Sequence, residues 1–173
     1  MPIKTAILGY GRNGSTMHAD TVALLPEFVM TAVCDIDPDA RRKAADRFGC
    51  PVYDDYRRML EEHALDLVVI VTRSSQHAAM ACDCLKRGVN VLVTKPWALH
   101  AAQAQTMMDA AAESGALLMP WLPARTAMPF LSSTVEMSWA WAAPCRVKEK
   151  IAPFPAEFPC TFNQFNPASR SRA

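Results

Sequence analysis

Glycine is scarce in this chain, six in 173 residues, and three of the six fall between residues 9 and 14. Crowding of a rare residue marks a backbone with a special conformational demand. Histidine is scarcer, four in all, and none follows His100. Neither sign of charge is in excess: a formal net charge of +1 argues against a dedicated nucleic-acid binder or a polybasic membrane anchor. No apolar run approaches the roughly 20 residues that span a bilayer. The six cysteines (34, 50, 82, 84, 145, 160) include no C-x-x-C pair, and no histidine stands near one at zinc-site spacing. Cys82 and Cys84, two apart in a helical pattern, point in different directions. No metal site is therefore expected, and the thiols read as reduced and mostly buried, as in a cytoplasmic protein. Met1 leads into a strand-like segment without a basic-then-apolar leader, so no secretion signal is expected.

What is present is an alternation. Ile3 to Leu8 reads as a buried strand, Ser15 to Leu25 as a helix stopped by Pro26, and Phe28 to Cys34 as a second strand. Asp37-Pro38 opens a helix, the Asp as N-cap and the Pro in the first turn, and that helix runs to Phe48 and stops at Gly49. Pro51 to Tyr53 is a short edge strand, followed by a helix over 55–63. Asp66 to Thr72 (DLVVIVT) is apolar through its middle, as a central parallel strand covered on both faces requires. A helix over 75–87 ends at Gly88, Asn90 to Thr94 is the next strand, a helix over 99–113 ends near Gly115, and Ala116 to Met119 is a last strand. Strands and helices alternating at this spacing predict βαβ units: an α/β, doubly wound parallel sheet of the Rossmann kind.

Gly9-Tyr10-Gly11-Arg12-Asn13-Gly14 follows the first strand and opens the first helix, which is the context a dinucleotide-binding turn needs. The first glycine permits a tight turn, the second a close approach of backbone to pyrophosphate, and the third close helix–strand packing. N–H groups at the helix start then face the phosphates. Asp35 ends the second strand, at the distance from the turn expected of an acid that binds adenosine ribose hydroxyls. A carboxylate there repels a 2′-phosphate, so NAD is expected as cofactor, with NADP the alternative. Arg41 and Arg42 lie one turn on and bear on that preference, though they read first as a solvated helix face. The fourth strand ends in Thr72-Arg73-Ser74-Ser75-Gln76-His77. Thr72 and Ser74 stand where ribose or phosphate contacts arise, while Ser74 or Ser75 equally serves as a helix cap. His77 falls in the first turn of that helix. Lys95, in Thr94-Lys95-Pro96, ends the fifth strand as a fixed positive charge and hydrogen-bond donor beside the crevice.

Together, AILGYGRNGSTMH, VMTAVCDIDPDARRKAADRFG and DLVVIVTRSSQHAAMACDCLKRGVNVLVTKPWAL resemble the glucose–fructose oxidoreductase / inositol dehydrogenase (Gfo/Idh/MocA) family over its whole nucleotide-binding domain, to about residue 125. The resemblance implies an NAD(P)-dependent oxidoreductase acting on a sugar, cyclitol or related polyol. It sets Thr94-Lys95-Pro96 on the family's Glu-Lys-Pro motif, with Lys95 near nicotinamide and substrate, and His77 on the family's histidine after the fourth strand. Both are expected as catalytic residues. Two departures stand out: Thr94 replaces the motif's glutamate, and Arg73 replaces the proline usual after the threonine of strand four. Arg125 falls roughly where the family has an arginine leaving this domain.

From residue 120 the composition changes: eight of the thirteen prolines lie in 120–173, and neither glycine nor histidine does. Residues 1–122 are expected to form the dinucleotide-binding domain, and 123–173 an irregular, partly disordered tail. The family's second domain, which supplies most substrate contacts, is not legible in some 50 residues. A truncated or frame-shifted copy with impaired turnover is thus one expectation, and a non-catalytic nucleotide-binding module another. A flavin or methyl-donor site is a third reading, disfavoured by Asp35 and Lys95-Pro96. Trp97, Trp121, Trp139 and Trp141 read either as an apolar surface on which the second domain docks or as ordinary packing; a homo-oligomer is a separate way to cover the open face.

Overall fold

The computed structural model describes residues 1–122, and everything below concerns them. Strands β1 (Ile3–Leu8), β2 (Phe28–Cys34), β3 (Val52–Tyr53), β4 (Leu67–Ile70), β5 (Asn90–Thr94) and β6 (Leu118–Trp121) form one sheet in the order β3-β2-β1-β4-β5-β6. Every adjacent pair is parallel. The order reverses direction at β1, between β2 and β4, and ligands of open parallel sheets bind at that point, beyond the carboxyl ends of the strands. Pro120 is tolerated because β6 lies at the sheet edge, where a missing N–H breaks no central ladder.

Alternate residues of each strand face opposite layers, so the sheet divides the core. Leu8, Val68, Ile70, Val91 and Val93 pack with α3 (Tyr56–Glu62), α4 (Ser74–Leu85) and α5 (Ala101–Ser114). Ile7, Val33 and Val69 pack with α1 (Ala19–Leu24) and α2 (Pro38–Phe48). Ile70 is wholly buried, and an aliphatic side chain of that kind contributes about 1.5–3 kcal/mol. The apolar run that predicted a central strand over 66–72 is therefore two-sided burial, although regular pairing stops at Ile70 and the chain turns out of the sheet at the cleft.

The helix ends follow local chemistry. Asp37 accepts from the Asp39 N–H at 3.0 Å, Pro38 takes the first helical position, and Gly49 closes α2 at φ 61°. Asp55 caps α3 through the Arg57 N–H at 2.9 Å. The first helix departs from expectation, because Gly14–His18 is a π-helical turn before α1 begins. Hydroxyls there compete for the backbone: Ser15 Oγ donates to the Gly11 carbonyl at 2.9 Å and Thr16 Oγ1 to the Arg12 carbonyl at 2.7 Å. The last strand starts two residues later than its composition suggested, at Leu118 rather than Ala116. At the amino-terminal edge of the sheet, Asn90 donates to the Asp66 carbonyl at 2.7 Å and accepts from the Leu117 N–H at 2.9 Å. That side chain laces the starts of β4, β5 and β6 together.

No helix among the described residues is long and apolar enough to cross a membrane. Arg125, Trp139, Trp141 and the expected tail over 123–173 lie outside the described residues.

Candidate functional site

At the carboxyl end of β1 the chain makes its tightest turn. Gly9 has φ +92°, and its N–H donates to the Cys34 carbonyl at 2.8 Å. A Cβ on Gly9 would stand 2.8 Å from the Val71 carbonyl oxygen, and a Cβ on Gly14 would collide with the Gly9 carbonyl. A Cβ on Gly11 would meet nothing within 4 Å and would project into open space. The first and third glycines are thus required by the fold, and the second keeps a cradle open. Gly11, Arg12, Asn13, Gly14 and Val71 line a cavity of about 220 Å³, into which the helix start, with N–H groups lacking intrahelical partners, opens. These residues fit a pyrophosphate: no side chain fills the position closest to the backbone, and the exposed Arg12 adds a cation.

Beside it lies a larger cleft of about 450 Å³, running over Gly9 from Asp35 and Ile36 at the end of β2 to Thr72, Arg73 and Gln76 at the end of β4. Its volume lies within the range of small-molecule sites. The Asp35 carboxylate accepts from the Tyr10 N–H at 2.6 Å and from the Asp37 N–H at 2.9 Å. Each oxygen thereby holds one backbone donor, and a carboxylate has about four acceptor positions, so capacity remains for two hydroxyls. Arg41 is not simply a solvated residue of a helix face, as expected from sequence. Its guanidinium donates to the carbonyls of Asp35 at 2.7 Å and Ile36 at 3.0 Å, clamping the end of β2. Arg42 does lie on the solvated face, paired with Asp39 at 2.9 Å.

The β4 end is arranged differently from the sequence picture. Arg73, rather than Ser74 or Ser75, occupies the cap position of α4, and no side chain caps that helix. The half-buried Ser74 starts the helix, and the Thr72 hydroxyl donates to Met80 Sδ at 3.4 Å, a weak acceptor. His77 is 1 % exposed. Its Nδ1 lies 3.0 Å from the Pro96 carbonyl and its Nε2 3.0 Å from the Thr72 carbonyl. The ring therefore bridges the end of β4 to the turn after β5. A neutral ring carries one N–H and donates to one of these carbonyls at a time. Lys95 is exposed, joined to Pro96 by a cis peptide bond. The Thr94 hydroxyl, buried, donates to the Ile70 carbonyl at 3.0 Å, so the residue standing in for the motif's glutamate ties β5 to β4.

Two further groups were not singled out in the sequence. His18 is buried and its ring meets the Trp121 ring edge-on, centroids 4.7 Å apart. Burial pushes its pKa below the usual value, favouring the neutral ring. The position on the inner face of the first helix, four residues before Val22, was the available signal. Cys34, at the cleft floor, has its thiol pushed up to about 12 by burial first and then by the neighbouring Asp35 charge. It stays protonated and is no nucleophile. Trp97 is half-buried against the core, and no group of His, Cys, Asp and Glu among the described residues could hold a metal ion.

Comparison with known proteins gives the same picture. A family model described as an oxidoreductase family with an NAD-binding Rossmann fold (GFO_IDH_MocA) matches residues 3–121. The inositol 2-dehydrogenase of Rubrobacter xylanophilus is 30% identical over 118 residues, which are 68% of this chain and 34% of that protein. The scyllo-inositol 2-dehydrogenase (NADP(+)) of Bacillus subtilis is 28% identical over 116 residues, 67% of this chain and 32% of that protein. The WlbA dehydrogenase of Bordetella pertussis, solved in complex with NADH and UDP-GlcNAcA, superposes with a TM-score of 0.70 at 25% identity, over 76% of this chain and 40% of that one. The chain spans about a third of the length of the curated relatives it matches.

Proposed function

The chain belongs to the Gfo/Idh/MocA oxidoreductase family, with its NAD-binding Rossmann fold over residues 3–121, and on that premise we propose that the cleft over Gly9 holds NAD for hydride transfer to or from a sugar- or polyol-like substrate. The observation that carries the proposal is the meeting of the Gly9–Gly14 turn and the Asp35 carboxylate in one cleft. Gly11, Arg12, Asn13 and Gly14 receive the pyrophosphate through backbone N–H groups. Asp35, held flat by two backbone donors, takes the adenosine ribose hydroxyls and disfavours a 2′-phosphate. Bound nicotinamide supplies the hydride acceptor or donor. Thr72 borders the cleft at the β4 end, while Ser74, which starts α4, is not part of its lining. Lys95, exposed beyond β5, would donate a hydrogen bond to a substrate oxygen and move a proton to or from it, a role its position on the family's Glu-Lys-Pro motif supports.

His77 we assign to positioning rather than to proton transfer, because the buried ring has both nitrogens facing backbone carbonyls of the fold, one of which takes its N–H. It holds the Lys95-Pro96 turn against the end of β4. The competing reading is a module that binds the dinucleotide without turnover. Calorimetry with NAD and NADP followed by a reduction assay over a polyol panel separates the two. Binding of NAD ahead of NADP, weakened at least tenfold in D35N, is the expected result. Reduction on any polyol supports the enzyme, and binding with no turnover supports the module. Failure to bind either nucleotide refutes both.

A further inference from the structure

The π-helical turn at Gly14–His18 ends where the Ala19 N–H closes onto the Gly14 carbonyl, five residues back. In α1 the bonding step is four, as at the Leu25 N–H, which closes onto the Thr21 carbonyl. Shortening the step from five to four passes over one carbonyl, and the one that follows Gly14 is that of Ser15. A carbonyl left out of a helix needs a donor from elsewhere. Arg47, in the last turn of α2, supplies it. Its guanidinium donates to the Ser15 carbonyl at 3.0 Å and to the Asp20 carboxylate at 2.6 Å. The same guanidinium lies over the Phe48 ring, 4.9 Å from its centroid, and Phe48 meets Tyr10 edge-on at 6.4 Å. Tyr10 in turn gives its N–H to the Asp35 carboxylate at 2.6 Å. Two consecutive residues of α2 thus brace the turn and the acid, yet neither lines the 220 Å³ cradle or the 450 Å³ cleft.

We propose that Arg47 is a positioning residue for the dinucleotide: it keeps the pyrophosphate cradle in shape by holding the carbonyl that the π turn leaves over. The inference rests on the dinucleotide reading above. Arg47 and Asp20 are both exposed, and an ion pair of that kind adds little to stability. The weight of Arg47 lies instead in its bond to Ser15. A π turn is the rarer arrangement, so without the guanidinium the segment relaxes toward α-helical bonding. A slip of one residue is about 100° of helix rotation, enough to turn the N–H groups of Arg12, Asn13 and Gly14 away from the cradle. Asp35 is spared, because Phe48 and Tyr10 stay in place.

The test is titration of the full chain and its R47M and D20N variants with NAD, ADP and adenosine, read by amide NMR shifts. R47M keeps the aliphatic stem and removes every donor, while D20N removes the ion pair and leaves the bond to Ser15. The expected result is a loss of roughly 3- to 10-fold for NAD and ADP in R47M, the worth of about one hydrogen bond. Adenosine, which reaches only the Asp35 end, should bind R47M as it binds wild type, and D20N should bind all three normally. Unchanged NAD affinity in R47M overturns the proposal. An equal loss for adenosine also overturns it, by showing a general loosening of the domain. A loss in D20N as large as in R47M overturns it too, by assigning the effect to the ion pair. A wild-type chain that binds neither NAD nor ADP refutes the dinucleotide reading and the proposal together, whereas wild-type binding with an indifferent R47M refutes the proposal alone.

Discussion

Replacing Gly14 and Gly11 by alanine in turn separates what the turn does for the fold from what it does for a ligand. At Gly14 the new methyl would collide with the Gly9 carbonyl oxygen and stand 3.0 Å from its carbon. Gly9 has no room to retreat, since its own Cβ position lies 2.8 Å from the Val71 oxygen and its N–H is committed to Cys34. Relief must come from moving the helix start away from β1. Overpacking of this kind costs about 1–3 kcal/mol, and for a domain of this size each kcal/mol lowers Tm by roughly 4 °C. G14A should therefore melt about 4–12 °C below wild type. At Gly11 the methyl meets nothing within 4 Å, and its φ lies outside the left-handed region. G11A should keep the wild-type Tm to within the effect of a surface substitution, about 0.5 kcal/mol. The same methyl fills the 220 Å³ cradle, so NAD affinity should fall by an order of magnitude or more, about 1.4 kcal/mol per decade. Differential scanning calorimetry of the free variants and titration with NAD read the two effects separately. A G11A variant that binds NAD as wild type does would refute the cradle. A G14A variant as stable as wild type would refute the packing.

Further outcomes follow from groups around the site. His18 has a folded-state pKa below 6.5, so the unfolded chain binds the proton more readily; stability should fall as pH drops below about 6.5 and level off below the folded pKa, and H18F should flatten that slope in chemical denaturation. Cys34 and Cys84 are pushed up to about 12, and Cys50 and Cys82 are also raised, burial leading in all four. Thiol labelling at pH 7 followed by peptide mapping should leave these four unmodified in the native chain and modify them in denaturant; rapid native labelling of Cys34 would contradict its burial. H77A should lose about 3 kcal/mol, because it removes the ring N–H that one of the Thr72 and Pro96 carbonyls accepts and opens a cavity, while H77Q restores part of the loss by keeping a donor. Equal Tm values for wild type and H77A would show that the bridge is not made.

The parts of the fold that were legible in the sequence are those where one short segment carries its own signal. DLVVIVT needed no partner to read as a two-sided strand, and Asp37-Pro38 with Gly49 bracketed α2 to the residue. Asp35 was legible because strand ends and glycine turns keep a regular spacing. The rest depends on groups brought together from afar. His77 meets the Pro96 carbonyl across 19 residues, and His18 meets Trp121 across most of the domain. Arg41 reads as solvated on a helical wheel, yet the carbonyls it binds belong to the strand end that precedes the helix. The π-helical turn is set by hydroxyl competition for carbonyls, which periodicity does not encode.

The lacing by Asn90 gives the sheet two unlike rims. One is sewn by the protein's own side chains, from Asp66 through Asn90 to Leu117. The other, at Gly11 and Asp35, borders the two cavities and keeps backbone and carboxylate positions open to them, although Thr94 there also ties β5 to β4. The seam at the far rim anchors β4, β5 and β6 whether or not anything is bound, so the open rim is free to be shaped by chemistry rather than by folding. A ligand then completes a stitching the chain leaves half done, and stabilises it in proportion to RT ln(1 + [L]/Kd). A residue that lines the open rim without side-chain partners of its own among the described residues, such as Arg73, can be exchanged without unpicking the Asn90 seam.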